Sequence, residues 1–185
     1  MWPLSSIVIG DQDEGFRCSS SEVLNSFFED LGRNIDPEQG LKGITFYDFK
    51  FHHDIQEWPL LHIAMKCHAL EELTIVPRFD CTSANRVQLF EFAGLAVSKS
   101  KCLRKIEFMC TKTSGEVGDK FMETLADENN EHMTGMTDIS ILSEGPWFKD
   151  ERSGCFTPLL ALLAKQTGLK SFEISYCSLS AAQKE

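Results

Sequence analysis

The sequence predicts an α/β solenoid, in which short parallel strands alternate with helices along a single chain. The main observation is a block of the form hydrophobic-x-x-hydrophobic-x-hydrophobic that recurs through the chain. Its copies begin at Leu4, Leu41, Leu70, Leu103, Met136 and Leu169. The last three gaps between copies are 33 residues each. A fixed period of this length is typical of proteins whose units bury their apolar faces only against neighbouring units.

Each block predicts a short β-strand. Its fourth and sixth positions are apolar and the position between them is usually polar, as in Ile44-Thr45-Phe46 and Phe172-Glu173-Ile174. An alternation of period two, built from β-branched and aromatic residues, favours a strand that is buried on one face.

The segments between the blocks predict amphipathic helices of about three turns, because their apolar residues recur at helical spacing. Ser19 and Glu22 can form a capping box at the start of the first helix, and Thr157-Pro158 pairs a cap with a proline suited to the first turn. Gly135 and Gly168 stand where helices commonly end. The apolar helix positions run from Val23 to Leu31, Leu60 to Met65, Phe90 to Val97, Phe121 to Leu125 and Leu159 to Leu163.

The block pattern resembles the leucine-rich repeat family, in particular its ribonuclease-inhibitor-like and cysteine-containing, F-box-type members. The last copy, Leu169 to Leu179, matches the fuller form L-x-x-L-x-L-x-x-C-x-L through Cys177. The resemblance implies a horseshoe-shaped solenoid over residues 1–185, a single domain of about six repeats. We expect its ends to be uncapped, because the sequence starts almost directly with a predicted strand and stops at the start of a helix. Parallel strands would line its concave side and helices its convex side. In the other copies the family's Asn or Cys position holds Gln12, Phe49, Arg78, Thr111 and Glu144.

Ankyrin repeats are the alternative, since they share the 33-residue period. The segments Trp58 to Ala64 and Thr157 to Ala161 are similar to the start of an ankyrin helix. An ankyrin unit needs a second helix directly after the first, and Pro77 would interrupt such a helix if it began at Leu70. The pattern therefore favours the strand-containing repeat.

The composition narrows the class of partner. Of the 185 residues, 42% are hydrophobic and 25% charged, which is typical of a globular protein, and the formal net charge is −10. An acidic chain disfavours a nucleic-acid ligand and suits a basic protein partner. No signal peptide and no apolar run long enough to span a bilayer is visible in the sequence. We therefore expect an intracellular protein with reduced thiols and no direct membrane insertion.

If the strands stack in parallel, one column of side chains places four apolar residues side by side on the face of the sheet away from the helices: Tyr47, Val76, Met109 and Leu142. Glu107 belongs to the neighbouring column, between the buried positions. An apolar stripe with a polar rim is typical of a partner-binding surface, so we expect these five residues to contact a protein partner. The alternative is that the long loops after these strands fold over the column.

A second candidate surface is segment 143–156, the longest insertion between a predicted strand and a helix. It places Trp147 beside Phe148 among Gly, Pro and charged residues. We expect Trp147 to anchor a partner; alternatively, it covers the edge of the solenoid.

The sequence carries no catalytic or phosphate-binding motif such as G-x-x-x-x-G-K, G-x-S-x-G or H-E-x-x-H. His52-His53-Asp54 and Cys67-His68 lack the spacing of metal-ligand pairs. Cys67 and Cys102 are expected to be small core residues rather than nucleophiles. We therefore expect no enzymatic activity, no metal and no cofactor.

These observations predict a protein–protein interaction scaffold that binds its partner through the concave face and the strand-to-helix loops. The chain begins almost directly with a predicted strand and stops at the start of a helix, which indicates a fragment or a subunit whose sheet edges are covered by neighbours. A structural subunit fixed in a large multiprotein complex is therefore the alternative function. Regulation of a small GTPase by a loop arginine such as Arg78 is a third.

Overall fold

A computed structural model of the chain describes residues 4–10, 17–18, 20–36, 38–51, 57–77, 83–110, 115–127, 130–143 and 156–176. Strands and helices alternate along these ranges. The strands are β1 (Ser6–Ile9), β2 (Arg17–Cys18), β3 (Gly43–Phe51), β4 (Glu72–Pro77), β5 (Lys105–Cys110), β6 (Asp138–Ser143) and β7 (Ser171–Tyr176). The helices are α1 (Ser21–Asn34), α2 (Glu57–Ala64), α3 (Ser83–Lys99), α4 (Gly115–Ala126) and α5 (Phe156–Lys165), and a short 3₁₀ helix covers Glu131–Thr134.

Six of the strands form one open, all-parallel sheet in the order β1-β3-β4-β5-β6-β7, and the two-residue β2 pairs with the end of β3. The order follows the sequence, so every crossover moves the chain one strand further in the same direction. Crossovers of one hand then place the connecting helices on the same side of the sheet. Successive helices contact one another from α1 to α5. The predicted α/β architecture with parallel strands is confirmed.

The strands pair so that equivalent block positions lie side by side. Ile44 is opposite Leu73, Leu73 is opposite Ile106, and Ile106 is opposite Ile139. Strands also occupy the segments where the ankyrin alternative requires a second helix, Glu72–Pro77 and Lys105–Cys110. The ankyrin alternative is therefore wrong.

One backbone interaction repeats at the start of each strand from β3 to β7. The carbonyl of the second block residue accepts the amide hydrogens of the second and third residues of the next block. Lys42 O, for example, accepts from Glu71 N at 2.7 Å and from Glu72 N at 3.0 Å. The same pair of bonds is made by the carbonyls of Ser5, Glu71, Arg104 and Thr137. We call this series the carbonyl ladder; it ties each unit to the next in one register.

The core lies between the sheet and the helix layer. From β1 to β6, the fourth and sixth block residues are buried, with no more than 6% of their surface exposed. Phenylalanines from the helices pack on them: Phe46 of β3 lies 6.2 Å from Phe28 of α1 and 5.7 Å from Phe92 of α3, between ring centroids. Phe121 of α4 lies 5.3 Å from Phe108 of β5 in a T-shaped contact. Aromatic contacts thus join strands and helices of neighbouring units.

Two polar side chains, each three residues before a block, link the turn after one helix to the unit before it. The Ser100 hydroxyl donates to Leu70 O at 2.6 Å and accepts from Cys102 N at 3.2 Å. At the equivalent position, the Gln166 side chain donates to Met133 O at 2.6 Å and accepts from Met136 N at 3.0 Å. Side-chain amides and hydroxyls therefore satisfy backbone groups where one unit meets the next.

The helix ends differ more from the sequence prediction than the strands do. Ser20, not Ser19, caps α1, and its side chain accepts from Val23 N at 3.5 Å. Helix α5 begins at Phe156, before the proposed cap at Thr157. Gly135 follows the 3₁₀ helix with a φ of −100°, rather than ending α4 in a left-handed conformation. Which residue caps a helix depends on local backbone angles. Sequence spacing cannot distinguish between two candidate caps that are one residue apart.

At Gly10 the backbone that leaves β1 comes close to the backbone of β3. Its φ is +106°, and a Cβ added there would lie 1.6 Å from Tyr47 O. The close approach of β1 to β3 therefore requires glycine at the end of β1.

The difference in burial between central and terminal strands can be tested by truncation. Phe108→Ala removes a fully buried ring, and we expect it to lower the free energy of unfolding by about 3–5 kcal/mol. Phe172→Ala, at a β7 position that is 41% exposed, should cost less than about half as much. Urea unfolding followed by circular dichroism measures both. Equal costs for the two variants would contradict this description of the core.

Candidate functional site

The third, fifth and seventh positions of each block point away from the helix layer, because they alternate with the buried fourth and sixth positions. We call this side of the sheet the open face, and its residues form three rows across the strands. The first row is Ser6, Gly43, Glu72, Lys105, Asp138 and Ser171. The second row is Val8, Thr45, Thr74, Glu107, Ser140 and Glu173. The third row contains the predicted apolar column, flanked by Gly10 and Ser175.

The structure brings the four apolar residues of the third row together, but it does not leave them all exposed. Val76 and Met109 are each only 5% exposed, whereas Tyr47 and Leu142 are half-buried. The expectation of an exposed stripe is therefore wrong for Val76 and Met109.

The burial of Val76 and Met109 is explained partly by the side chains beside them on the neighbouring strands. Val76 and Met109 have large side chains on both sides, because the row runs Tyr47, Val76, Met109, Leu142. Tyr47 has only Gly10 on its outer side, and Leu142 has only Ser175. Segments 78–82 and 111–114, which the alternative interpretation placed over this row, lie outside the described residues.

Four carboxylates stand out in the first two rows, one on each of four consecutive strands. They are Glu72 on β4, Glu107 on β5, Asp138 on β6 and Glu173 on β7. They alternate between the two rows, so they form a zigzag line across the sheet. Lys105 is the one basic residue in the three rows. We call these four residues the carboxylate line.

A shallow depression of about 230 Å³ lies along this line between β5, β6 and β7. It is lined by residues of all three strands: Lys105, Ile106, Glu107, Asp138, Ile139, Ser140, Ser171 and Glu173. The hydroxyl of Thr137 donates to Asp138 Oδ2 at 2.7 Å, and the hydroxyl of Ser175 donates to the Glu173 carboxylate. These bonds fix two of the carboxylates and leave them as acceptors. The depression suits an ammonium or guanidinium group better than an anion.

Sequence reasoning found part of this surface. Glu107 was among the predicted partner-binding residues, and Glu173 was in its column. Glu72, Lys105 and Asp138 were not among the predicted residues. All three occupy the third block position, and the alternation along the strand predicts that this position faces the same side as Glu107. The remaining predicted site residue, Trp147, and the candidate arginine Arg78 lie outside the described residues, as does His52-His53-Asp54.

The described residues were also searched for a metal-binding cluster and for a membrane-spanning helix. Among them, no group of three or more His, Cys, Asp or Glu side chains is placed to hold a metal ion. No helix within the described ranges is both long enough and apolar enough to cross a membrane.

Comparisons with known proteins do not assign the chain to a family. No protein-family model matches it, and a search of curated proteins finds no matching sequence. The repeat pattern and the geometry of the sheet are therefore the basis for a functional proposal.

The two cysteines predicted to be core residues differ in their environments. Cys67 is fully buried, and its thiol donates to Ile63 O at 3.3 Å. Burial raises the pKa of the Cys67 thiol from 9.0 to about 12, because the thiolate would lose its hydration. Cys102 is exposed, so the prediction is confirmed for Cys67 and wrong for Cys102.

Thiol labelling near pH 8 tests this difference, with the modified residues located by mass spectrometry. We expect Cys102 to react in the folded protein and Cys67 to react only after unfolding. The raised pKa of Cys67 also makes the stability of the fold depend on pH. The stabilising contribution is fully present below pH 9 and is lost as the pH rises from 9.0 to about 12, since only the unfolded chain ionises this thiol in that range. Equal labelling rates for the two thiols in the native protein would show that Cys67 is accessible.

Proposed function

We propose that the chain is a leucine-rich-repeat-type solenoid that binds a basic segment of a partner protein across its open face. The repeat assignment is supported by the block pattern, the strand order that follows the sequence, and the contacts of each helix with the next. Repeat proteins of this kind commonly use an extended sheet surface for recognition. The proposed site is a row of shallow, polar positions, which fits a peptide or protein surface better than a small molecule enclosed in a pocket.

The carboxylate line is the observation that carries the proposal. Adjacent parallel strands are about 4.8 Å apart, so the four carboxylates extend over roughly 14 Å across the sheet. A partner segment that runs across the strands can meet them in turn with Lys or Arg side chains. Each exposed pair contributes about 0.2–1 kcal/mol, so affinity requires several pairs together. The net charge of −10 adds long-range attraction for a basic partner.

The third row supplies the apolar part of the proposed surface. Tyr47 and Leu142 are half-buried, so part of each side chain is exposed, whereas Val76 and Met109 support the row from within. Substitution of Met109 by a charged residue would therefore report on folding rather than on binding. Tyr47 is the better probe of apolar contact, since a tyrosine at an interface offers a ring and a hydroxyl together.

Neutralising two carboxylates tests this function. The partner is first isolated by co-purification with the wild-type chain from its native source. Its affinity is then measured for wild type and for the double variant Glu107→Gln with Glu173→Gln. We expect the double variant to bind about tenfold more weakly and to show a smaller loss of affinity on adding salt.

The matched control is the double variant Glu91→Gln with Glu123→Gln, which removes the same charge from exposed positions on α3 and α4. It should bind like the wild type. A partner that binds both double variants equally well, or one whose contact surface is acidic, would contradict the proposal. Loss of binding in Tyr47→Ala, with the carboxylates intact, would add the third row to the site.

A further inference from the structure

Lys105, the one basic residue in the three rows of the open face, lies in the middle of the carboxylate line. The strand register places it directly between Glu72 of β4 and Asp138 of β6. Adjacent parallel strands are about 4.8 Å apart, so these two carboxylates are its nearest neighbours across the strands. Glu107 follows two residues later on the same strand, about 6.6 Å away, and faces the same side of the sheet. Three carboxylates therefore surround one ammonium group.

The side chain of Lys105 is exposed and shares its surroundings with these carboxylates. Together with Glu107, Asp138 and Glu173, it lines the depression of about 230 Å³ between β5, β6 and β7. The ion pairs that join described residues do not include Lys105. Its ammonium group is therefore not fixed on one carboxylate and acts on all of its neighbours through space.

A lysine at this position affects both the stability of the sheet and the binding of a cation. Its positive charge offsets the repulsion between carboxylates that the sheet holds close together. A cation of a partner that approaches the same carboxylates is repelled by the ammonium group, because like charges that meet across an interface lower affinity. The two effects have opposite signs. Lys105 stabilises the sheet, and it weakens the binding of any cation placed beside it.

We propose that Lys105 is an internal counter-ion of the carboxylate line, which lowers the affinity of the open face for uniformly basic segments. The inference rests on the proposed function, in which the carboxylate line receives cations from a partner. A segment with a cation at every position places one beside Lys105 in any register along the line. A segment with a neutral or acidic residue at that point avoids the repulsion. Lys105 is thus a specificity-determining residue of the open face.

The affinity for a synthetic oligoarginine peptide, measured by fluorescence anisotropy at low salt, tests this role. Lys105→Gln removes the charge from an exposed position and should bind the peptide about two- to fivefold more tightly than the wild type, the effect of one exposed charge pair. Lys105→Arg keeps the charge and should bind like the wild type. The gain in Lys105→Gln should disappear as added salt screens the charges.

The matched control is Lys120→Gln, which removes a positive charge from an exposed position on α4, in the helix layer. It has the same net charge as Lys105→Gln but leaves the open face unchanged. It should bind the peptide like the wild type. The comparison separates the position of the charge from the net charge of the chain.

Urea unfolding provides a second measurement on the same variants. An internal counter-ion should give opposite effects when it is removed, so Lys105→Gln should unfold at a slightly lower urea concentration while it binds the peptide more tightly. A residue that contributes only to folding would lower the unfolding midpoint without raising the affinity. Lys105→Met, which also lacks the charge, replaces Lys105→Gln if that variant does not fold.

The outcomes distinguish this inference from the proposed function. A wild-type chain that does not bind the peptide, or that binds it equally well after Glu107→Gln with Glu173→Gln, would contradict both. If the wild type binds through these carboxylates, unchanged or weaker binding in Lys105→Gln would overturn the role of Lys105 alone. Equal gains in Lys105→Gln and Lys120→Gln would also overturn it, since net charge rather than position would then set the affinity.

Discussion

Every unit of this chain is positioned by one recurring interaction, the carbonyl ladder at the entrance to the strands. Each ladder carbonyl accepts two amide hydrogens from the next unit, so the strands cannot slip by one residue without breaking both bonds. A slip would also turn Ile106 and Phe108 towards solvent and Glu107 towards the helix layer. The open face, with its carboxylate line, therefore exists because the ladder and the buried alternation specify the same register.

The same constraint explains why the first and last described strands of the sheet differ from those between them. An interior strand uses its acceptor side and its donor side within the chain, and its apolar residues are covered by the following unit. Strands β1 and β7 each use only one side among the described residues. The sheet thus carries a line of carboxylates across its open face, while its first and last described strands expose Val8, Phe172 and Ile174.

The sequence was sufficient to predict the strands and their rows, because a period of two fixes which side chains share a face. It was not sufficient to predict exposure within a row. Val76 and Met109 are buried partly by neighbours that are 29 to 33 residues away along the chain, and that packing has no local signal. Helix ends were also misplaced, as Ser19 and Ser20 are equivalent by composition and only the backbone angles choose between them. The sequence analysis did not include Glu72 and Asp138 in the binding surface. Both occupy the third block position, which faces the same side of the sheet as the fifth and seventh positions, so the repeat register alone would have placed them there.

Distances between labels on the open face test the central claim most directly. Spin labels carried on non-cysteine amino acids at Thr45 and Glu107, and at Thr45 and Glu173, report strands that are two and four steps apart. In-register parallel pairing in the order of the sequence predicts backbone separations of about 10 Å and about 19 Å, so the second pair should be nearly twice as far apart as the first. A Thr45 to Glu173 separation equal to or shorter than the Thr45 to Glu107 separation would contradict the sequential, in-register sheet.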